Sequence, residues 1–166
     1  MQFSRRVQNI APFHVMRILE SAKQLEASGH EVCHMEVGEP DFETAPMIQA
    51  AGAKALEANQ TKYTQAAGIP ELRQAIAQWY AERFAVLIEP SRIIVTPGAS
   101  GALQLIMGLL LDPGDEILLT DPGYPCNRHL ALLAGGSPVS LEVDGEHNYQ
   151  PTPEQVRGAW KPGITK

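Results

Sequence analysis

Residues 95–103 read Val95-Thr96-Pro97-Gly98-Ala99-Ser100-Gly101-Ala102-Leu103, an apolar run that passes through small residues into a second apolar run. The pattern predicts a buried strand at Ile93–Thr96, a tight turn, and a buried helix over residues 100–111. Ligands of open parallel sheets bind beyond the carboxyl ends of the strands, where a helix N-terminus offers N–H groups and partial positive charge. Gly98 and Ala99 permit close backbone approach and Ser100 adds a hydroxyl donor. The turn therefore predicts a phosphate site, with a ligand-free tight turn as the alternative.

Two other interpretations of this region are disfavoured. The turn is not a P-loop, because no lysine follows the glycines, and its glycines do not fit the dinucleotide motif G-x-G-x-x-G. The run Ile93–Leu111 contains no charge and is long enough to suggest a membrane span. Polar and turn-forming residues occupy its middle, where a bilayer helix needs an unbroken apolar surface. A buried strand, turn and helix explain the run better.

The rest of the chain alternates short strands with helices. Further strands are predicted at Glu116–Thr120 and Ser137–Val143, and an extended segment at Val32–Val37. Helices are predicted at Val15–Ser28, Pro46–Ala58, Pro70–Phe84 and Cys126–Ala134, and after the capping-box sequence Thr152-Pro153-Glu154-Gln155. Alternation of this kind implies βαβ units, hence an α/β fold with a mostly parallel sheet and flanking helices.

An aromatic residue follows the second strand of this series. Asp121-Pro122-Gly123-Tyr124-Pro125 comes directly after Glu116–Thr120. If the strands are parallel, Tyr124 emerges on the same side of the sheet as the phosphate turn, where it can stack on a planar ring. Packing is the alternative role for such a tyrosine. A phosphate site beside an aromatic platform suits a phosphorylated aromatic cofactor such as pyridoxal phosphate.

Composition and charge exclude several classes of protein. The 166 residues, with 44% hydrophobic and 19% charged side chains, have the composition of about one globular domain. A net charge of −6 lacks the basic surface that nucleic acid requires. Arg5 and Arg6 precede no apolar run, so no signal peptide is predicted. Cys33 and Cys126 form no C-x-x-C pair, which predicts neither a disulfide framework nor a zinc knuckle and favours the cytoplasm.

One sequence matches a zinc-protease pattern by its letters alone. His30-Glu31-Val32-Cys33-His34 fits H-E-x-x-H, but zinc binding by that motif needs both histidines on one face of a helix. Gly29 predicts a helix end, and the alternation that follows predicts an extended chain. No metal site is therefore expected.

Four segments carry a family resemblance through their order and spacing. They are Gly38-Glu39-Pro40-Asp41-Phe42, Lys62-Tyr63-Thr64-Gln65-Ala66-Ala67-Gly68-Ile69-Pro70-Glu71-Leu72-Arg73, the turn from Gly98 to Leu103, and the run from Asp112 to Pro125. With them the chain resembles the N-terminal part of the fold-type I pyridoxal-phosphate (PLP) enzymes, the class I and II aminotransferases. The resemblance implies an arm, helix and strand of a small domain in residues 1–45, and an incomplete PLP-binding large domain in residues 46–166.

The resemblance also implies roles for single residues. Gly98, Ala99 and Ser100 match the loop that binds the cofactor phosphate, and Tyr124 matches the aromatic residue that stacks on the pyridine ring. Tyr63 matches a tyrosine that reaches the cofactor phosphate of a partner subunit, which implies a homodimer. Gly38 matches the backbone position beside the substrate carboxylate. From the residues alone, Tyr63 is a surface loop tyrosine and Gly38 a turn glycine.

One departure from the family bears on activity. The family binds the cofactor covalently through a lysine. The lysines of this chain are Lys23, Lys54, Lys62, Lys161 and Lys166, and none of them occupies a matching position. We therefore expect this chain to be the front portion of an aminotransferase that acts on an amino acid and a 2-oxo acid. The chain is expected to be inactive alone and to be completed by a C-terminal fragment. The alternatives are a non-catalytic remnant or partner-binding fragment, and a PLP-dependent lyase or decarboxylase. An uncompleted sheet also predicts poor solubility of the lone chain.

Overall fold

The structure, a computed structural model, describes residues 2–166 and at position 5 the backbone alone. It divides into two compact units. One contains Cys33 and the residues before it together with Pro97–Lys166, and the other is His34–Thr96. The division between residues 45 and 46 that the family resemblance implies stays a prediction.

Within the described residues the chain forms helices, two 3₁₀ turns and two strands. In chain order they are α1 (Arg5–Gln8), α2 (His14–Ala27), α3 (Pro46–Glu57), α4 (Pro70–Phe84), a 3₁₀ turn at Pro90–Arg92, α5 (Gly98–Leu110), β1 (Glu116–Asp121), α6 (Pro125–Ala134), β2 (Ser137–Glu142), a 3₁₀ turn at Gly145–His147, and α7 (Pro153–Ala159). Proline occupies the first turn of α3, α4, α6 and α7, where its missing N–H costs no helical hydrogen bond. The capping box at Thr152 and Gln155 is confirmed.

The sheet of the first unit is parallel, as predicted. β1 and β2 pair in register from Glu116 opposite Ser137 to Asp121 opposite Glu142. The other edge of β1 is partly covered by the last described residues. The Glu116 N–H donates to the Ile164 carbonyl oxygen at 2.9 Å, and the Lys166 N–H donates to the Glu116 carbonyl oxygen at 3.0 Å. These bonds satisfy backbone groups that an open edge would expose.

A small apolar core supports this sheet. Met107 and Leu111, at the end of α5, pack with Ala131 of α6, and all three are more than 90% buried. Ile117, in β1, packs against this cluster. The uncharged run that includes α5 thus lies partly in a protein core. No helix in residues 2–166 is long and apolar enough to cross a membrane.

The second unit is built on α3 and α4. The Arg73 guanidinium of α4 donates from Nε and Nη2 to the Pro90 carbonyl oxygen, at 2.9 and 2.6 Å. The Val95 N–H donates to the Ala67 carbonyl oxygen at 3.0 Å. These contacts join the loop before α4 and the segment after it to the helix.

Two predicted extended segments do not form strands. Val32–Val37 and Ile93–Thr96 have no ladder partner in the part of the chain that the structure describes. Alternating or apolar residues favour an extended backbone, but a strand also requires a paired neighbour. Ile94 is accordingly 64% exposed, and the Val95 amide pairs with a loop carbonyl instead.

Gly68 is a point where a side chain would disrupt the second unit. Its φ is +97°, and an added Cβ would lie 2.6 Å from Cγ2 and 2.8 Å from Cβ of Val95. We expect Gly68→Ala to destabilise this unit by about 1–3 kcal/mol, because both the backbone and the packing are strained. Faster hydrogen exchange of the Val95 amide, measured by NMR, would report it.

Gly52→Ala is the matched control for this substitution. Gly52 lies inside α3, where an added Cβ meets nothing within 4 Å. Because alanine favours helix, the control is expected to stabilise the unit by about 0.5–1 kcal/mol. Equal exchange rates in the two variants would contradict the close approach of residues 68 and 95.

Candidate functional site

The predicted phosphate turn forms the N-terminus of a helix. α5 begins at Gly98, and its N-cap residue is Pro97, which has no N–H and whose side chain makes no capping bond. The amides of Gly98, Ala99 and Ser100 occupy the first turn of α5, at the positive end of the helix. Ala99 and Ser100 are exposed. The helix dipole favours an anion at such a position, and the Ser100 hydroxyl can add a hydrogen bond.

The backbone conformation at position 98, and not close packing, requires a glycine. Its φ is +75°, a left-handed conformation that a side chain disfavours, while an added Cβ would meet nothing within 4 Å. The open space beside Gly98 leaves room for a ligand to approach the backbone. The predicted turn and the observed geometry agree at this residue.

Tyr124 lies at the junction of β1 and α6. It is the N-cap residue of α6, and its side chain is 54% exposed. The Phe13 ring lies nearly perpendicular to its ring, with centroids 6.3 Å apart and an interplanar angle of 79°. A hydrogen bond with the Cys126 thiol raises the pKa of the Tyr124 hydroxyl above its ordinary value. Tyr124 is thus an oriented aromatic ring with free surface.

A cavity of about 200 Å³ lies beside Tyr124. It is formed by the end of β1 and the first turns of α6, and Asp121, Asn127 and Arg128 line it. The Oδ1 atom of Asn127 is buried and accepts no hydrogen bond from the described residues. A buried amide oxygen without a donor is costly, so this atom marks a place where a donor is expected to bind.

These features fit PLP. The helix N-terminus suits its phosphate, and the exposed Tyr124 ring suits its pyridine ring. Both belong to the first unit. Tyr63 and Gly38 belong to the second unit; Tyr63 is fully exposed in the loop after α3, and an added Cβ at Gly38 would meet nothing within 4 Å. Their cofactor and substrate roles stay predictions.

The H-E-x-x-H sequence lies outside any helix. α2 ends at Ala27, and residues 30–34 are not helical, so the geometry that zinc binding by this motif needs is absent from this segment. His34 Nδ1 lies 2.6 Å from Glu36 Oε1. This hydrogen bond lowers the pKa of Glu36 below its ordinary value. Both cysteines are free thiols, Cys33 exposed and Cys126 partly buried.

Sequence reasoning missed three neighbours of Tyr124. Phe13 lies more than a hundred residues earlier in the chain, and nothing in the local sequence indicates its contact. Cys126 and Asn127 follow Tyr124 by two and three residues, in the first turn of a helix that comes directly after a strand. That position in the sequence could have indicated them as site residues. Residues at the carboxyl end of a parallel strand are candidates for ligand binding.

Comparison with known proteins identifies the family of the chain. A family model described as aminotransferase class I and II matches residues 30–164. The aspartate aminotransferase of Geobacillus stearothermophilus is 37% identical over 162 residues, which are 98% of this chain and 41% of that protein. The (5-formylfuran-3-yl)methyl phosphate transaminase of Methanocaldococcus jannaschii is 40% identical over 143 residues, 86% of this chain and 39% of that protein.

A solved structure extends the similarity to the fold. The aspartate aminotransferase from Thermus thermophilus with maleate superposes with a TM-score of 0.93 and 36% identity, over 100% of this chain and 43% of that one. The chain thus spans about two fifths of the length of these relatives. Because the family model matches well over half of its residues, the chain belongs to the class I and II aminotransferase family.

Proposed function

We propose that this chain is the N-terminal portion of an aminotransferase that moves an amino group between an amino acid and a 2-oxo acid with pyridoxal 5'-phosphate. The observation that carries the proposal is the family match over residues 30–164, which includes both the helix N-terminus at Gly98 and the exposed Tyr124 ring. The relatives named above are aminotransferases or transaminases, which favours amino-group transfer over a lyase or decarboxylase reaction. Two free thiols without a disulfide suit the cytoplasm.

The residues of the first unit would hold the cofactor. Amides of Gly98, Ala99 and Ser100 would donate to its phosphate, and Tyr124 would stack on its ring. When bound, PLP supplies an electron sink for the bonds at the amino-bearing carbon of the substrate. The protein supplies orientation, through Tyr124 as N-cap of α6 and through the fixed start of α5.

The second unit would contribute to a homodimer. We assign Tyr63 to the cofactor phosphate of a partner subunit and Gly38 to the substrate carboxylate. Tyr63 is fully exposed, as a residue that binds outside its own subunit must be. Gly38 leaves its backbone open, with nothing within 4 Å of an added Cβ.

The covalent bond to the cofactor would come from a lysine outside residues 1–166. Lys161 Nζ pairs with Glu116 Oε1 at 2.8 Å, and Lys166 Nζ lies 3.7 Å from Asp115 Oδ2. Lys23, Lys54 and Lys62 are exposed. A lysine nucleophile needs a lowered pKa, which desolvation or a neighbouring cation provides and a carboxylate partner opposes. We therefore propose that this lysine belongs to the part of the fold that residues 1–166 do not cover.

Borohydride reduction of the purified sample tests the proposal. We expect the PLP-binding protein to absorb visible light through bound PLP and, after reduction, to retain the cofactor on a lysine outside residues 1–166. Intact mass of every component, followed by peptide mapping, locates the added mass. Cofactor trapped on Lys62 or another lysine of this chain would contradict the proposal. A single polypeptide that never binds PLP would favour a non-catalytic remnant of the fold.

A further inference from the structure

The N-terminal segment contacts α6 near both of its ends. Arg6 Nη1 donates to the Leu133 carbonyl oxygen at 3.2 Å, in the last turn of α6. The Phe13 ring contacts Tyr124, the residue that caps the first turn. α6 has 10 residues, which corresponds to about 15 Å of helix. Residues 6–13 therefore run along α6 from its end to its start.

The backbone of Phe13 is fixed at the start of α2. Its carbonyl oxygen accepts from the Met16 N–H at 3.2 Å, because Phe13 is the N-cap residue of α2. The side chain is partly buried. Phe13 thus brings a partly buried ring against Tyr124 from a different part of the chain.

Two contacts orient the Tyr124 side chain: its hydroxyl is hydrogen-bonded with the Cys126 thiol, and its ring contacts Phe13. Its side chain is 54% exposed, and an exposed aromatic side chain otherwise exchanges between rotamers. Pro125 restricts the backbone of Tyr124, the residue before it, but does not by itself fix the Tyr124 side-chain torsions. The perpendicular contact with Phe13, with centroids 6.3 Å apart, is a favoured geometry for aromatic pairs.

We propose that Phe13 is a positioning residue for the cofactor platform: it fixes the Tyr124 ring in the orientation on which PLP stacks. This inference rests on the proposed function of Tyr124. A platform fixed before binding loses less side-chain entropy when the ring stacks, so affinity rises. From the usual strength of an aromatic pair, loss of the contact is expected to weaken PLP binding by about threefold to tenfold.

Variants of Phe13 test the inference on the complete PLP-binding protein. Phe13→Ala and Phe13→Leu remove the ring, whereas Phe13→Tyr keeps it and should restore wild-type behaviour. Phe3→Ala is the matched control, since Phe3 belongs to the same segment and is 70% exposed. The first readout needs no cofactor: NMR of ¹³C-labelled tyrosine, with Tyr124 assigned through Tyr124→Phe. The second is the PLP dissociation constant, with the visible circular dichroism of the bound cofactor.

We expect Phe13→Ala and Phe13→Leu to shift the Tyr124 ring signals and weaken PLP binding, and Phe3→Ala to change neither. Unchanged Tyr124 signals would overturn the contact. Shifted signals with an unchanged dissociation constant and dichroism would overturn the positioning role while leaving the proposed function intact. A wild-type protein that binds no PLP, with shifted Tyr124 signals in Phe13→Leu, would instead refute the proposed function.

Discussion

Replacement of Ala99 by aspartate is expected to lower PLP affinity by about a hundredfold or more, because a carboxylate would stand at the proposed phosphate site. Ala99 is the second residue of α5 and is exposed. Two like charges about 4 Å apart repel by about 4 kcal/mol at the effective dielectric constant of a protein surface. The same carboxylate is favourable for α5 itself, since it lies at the positive end of the helix dipole. Binding and stability should therefore change in opposite directions.

Ala99→Asn is the control that isolates charge from shape. It places a side chain of equal size at the same position without the negative charge, so its PLP affinity should stay near the wild-type value. Pyridoxal, which lacks the phosphate, should bind both variants equally. The dissociation constants are measured on the PLP-binding form of the protein by absorbance titration, and helix content by circular dichroism. Equal PLP affinity of the two variants would place the phosphate elsewhere.

The start of α5 could be predicted because its determinants are local. A glycine after a proline, followed by small residues and an apolar run, indicates a turn into a helix, and the observed φ of +75° at Gly98 explains the glycine. The starts of α3 and α4 were similarly marked by proline. Helix bounds therefore agree with the sequence to within two residues, apart from α1, which no pattern indicated.

Features that depend on distant partners could not be predicted in this way. Ile93–Thr96 has the composition of a strand, yet pairing rather than composition decides whether a strand forms. The contacts of Arg6 with Leu133 and of Phe13 with Tyr124 join residues more than a hundred positions apart. The roles of Tyr63 and Gly38 came only from the family resemblance, because an exposed loop tyrosine and a turn glycine have no distinctive local pattern.

The isolated chain is expected to bind a hydrophobic dye strongly and to unfold without a sharp cooperative transition. Its accessible surface is 13512 Å². Two separate compact bodies with the masses of its two units would together expose about 9,700 Å². The accessible surface of the chain exceeds that of two such bodies whatever the arrangement of the units. Much of this excess surface is apolar. In α5, Leu105 is 58% and Leu109 82% exposed, and in α4 Trp79 is 52% exposed.

This excess bears on stability because burial of apolar area is the main favourable term in folding. Cooperative unfolding needs a core whose parts stabilise one another, and the buried cluster of Met107, Leu111 and Ala131 is small for a chain of 166 residues. Anilinonaphthalene sulfonate fluorescence and scanning calorimetry of the lone chain measure the two effects. Leu109→Lys should reduce dye binding without lowering helix content, because Leu109 is exposed. Met107→Lys on the same helix should lower helix content, because Met107 is buried. A sharp melt of the monomeric chain with little dye binding would show that these apolar faces need no cover.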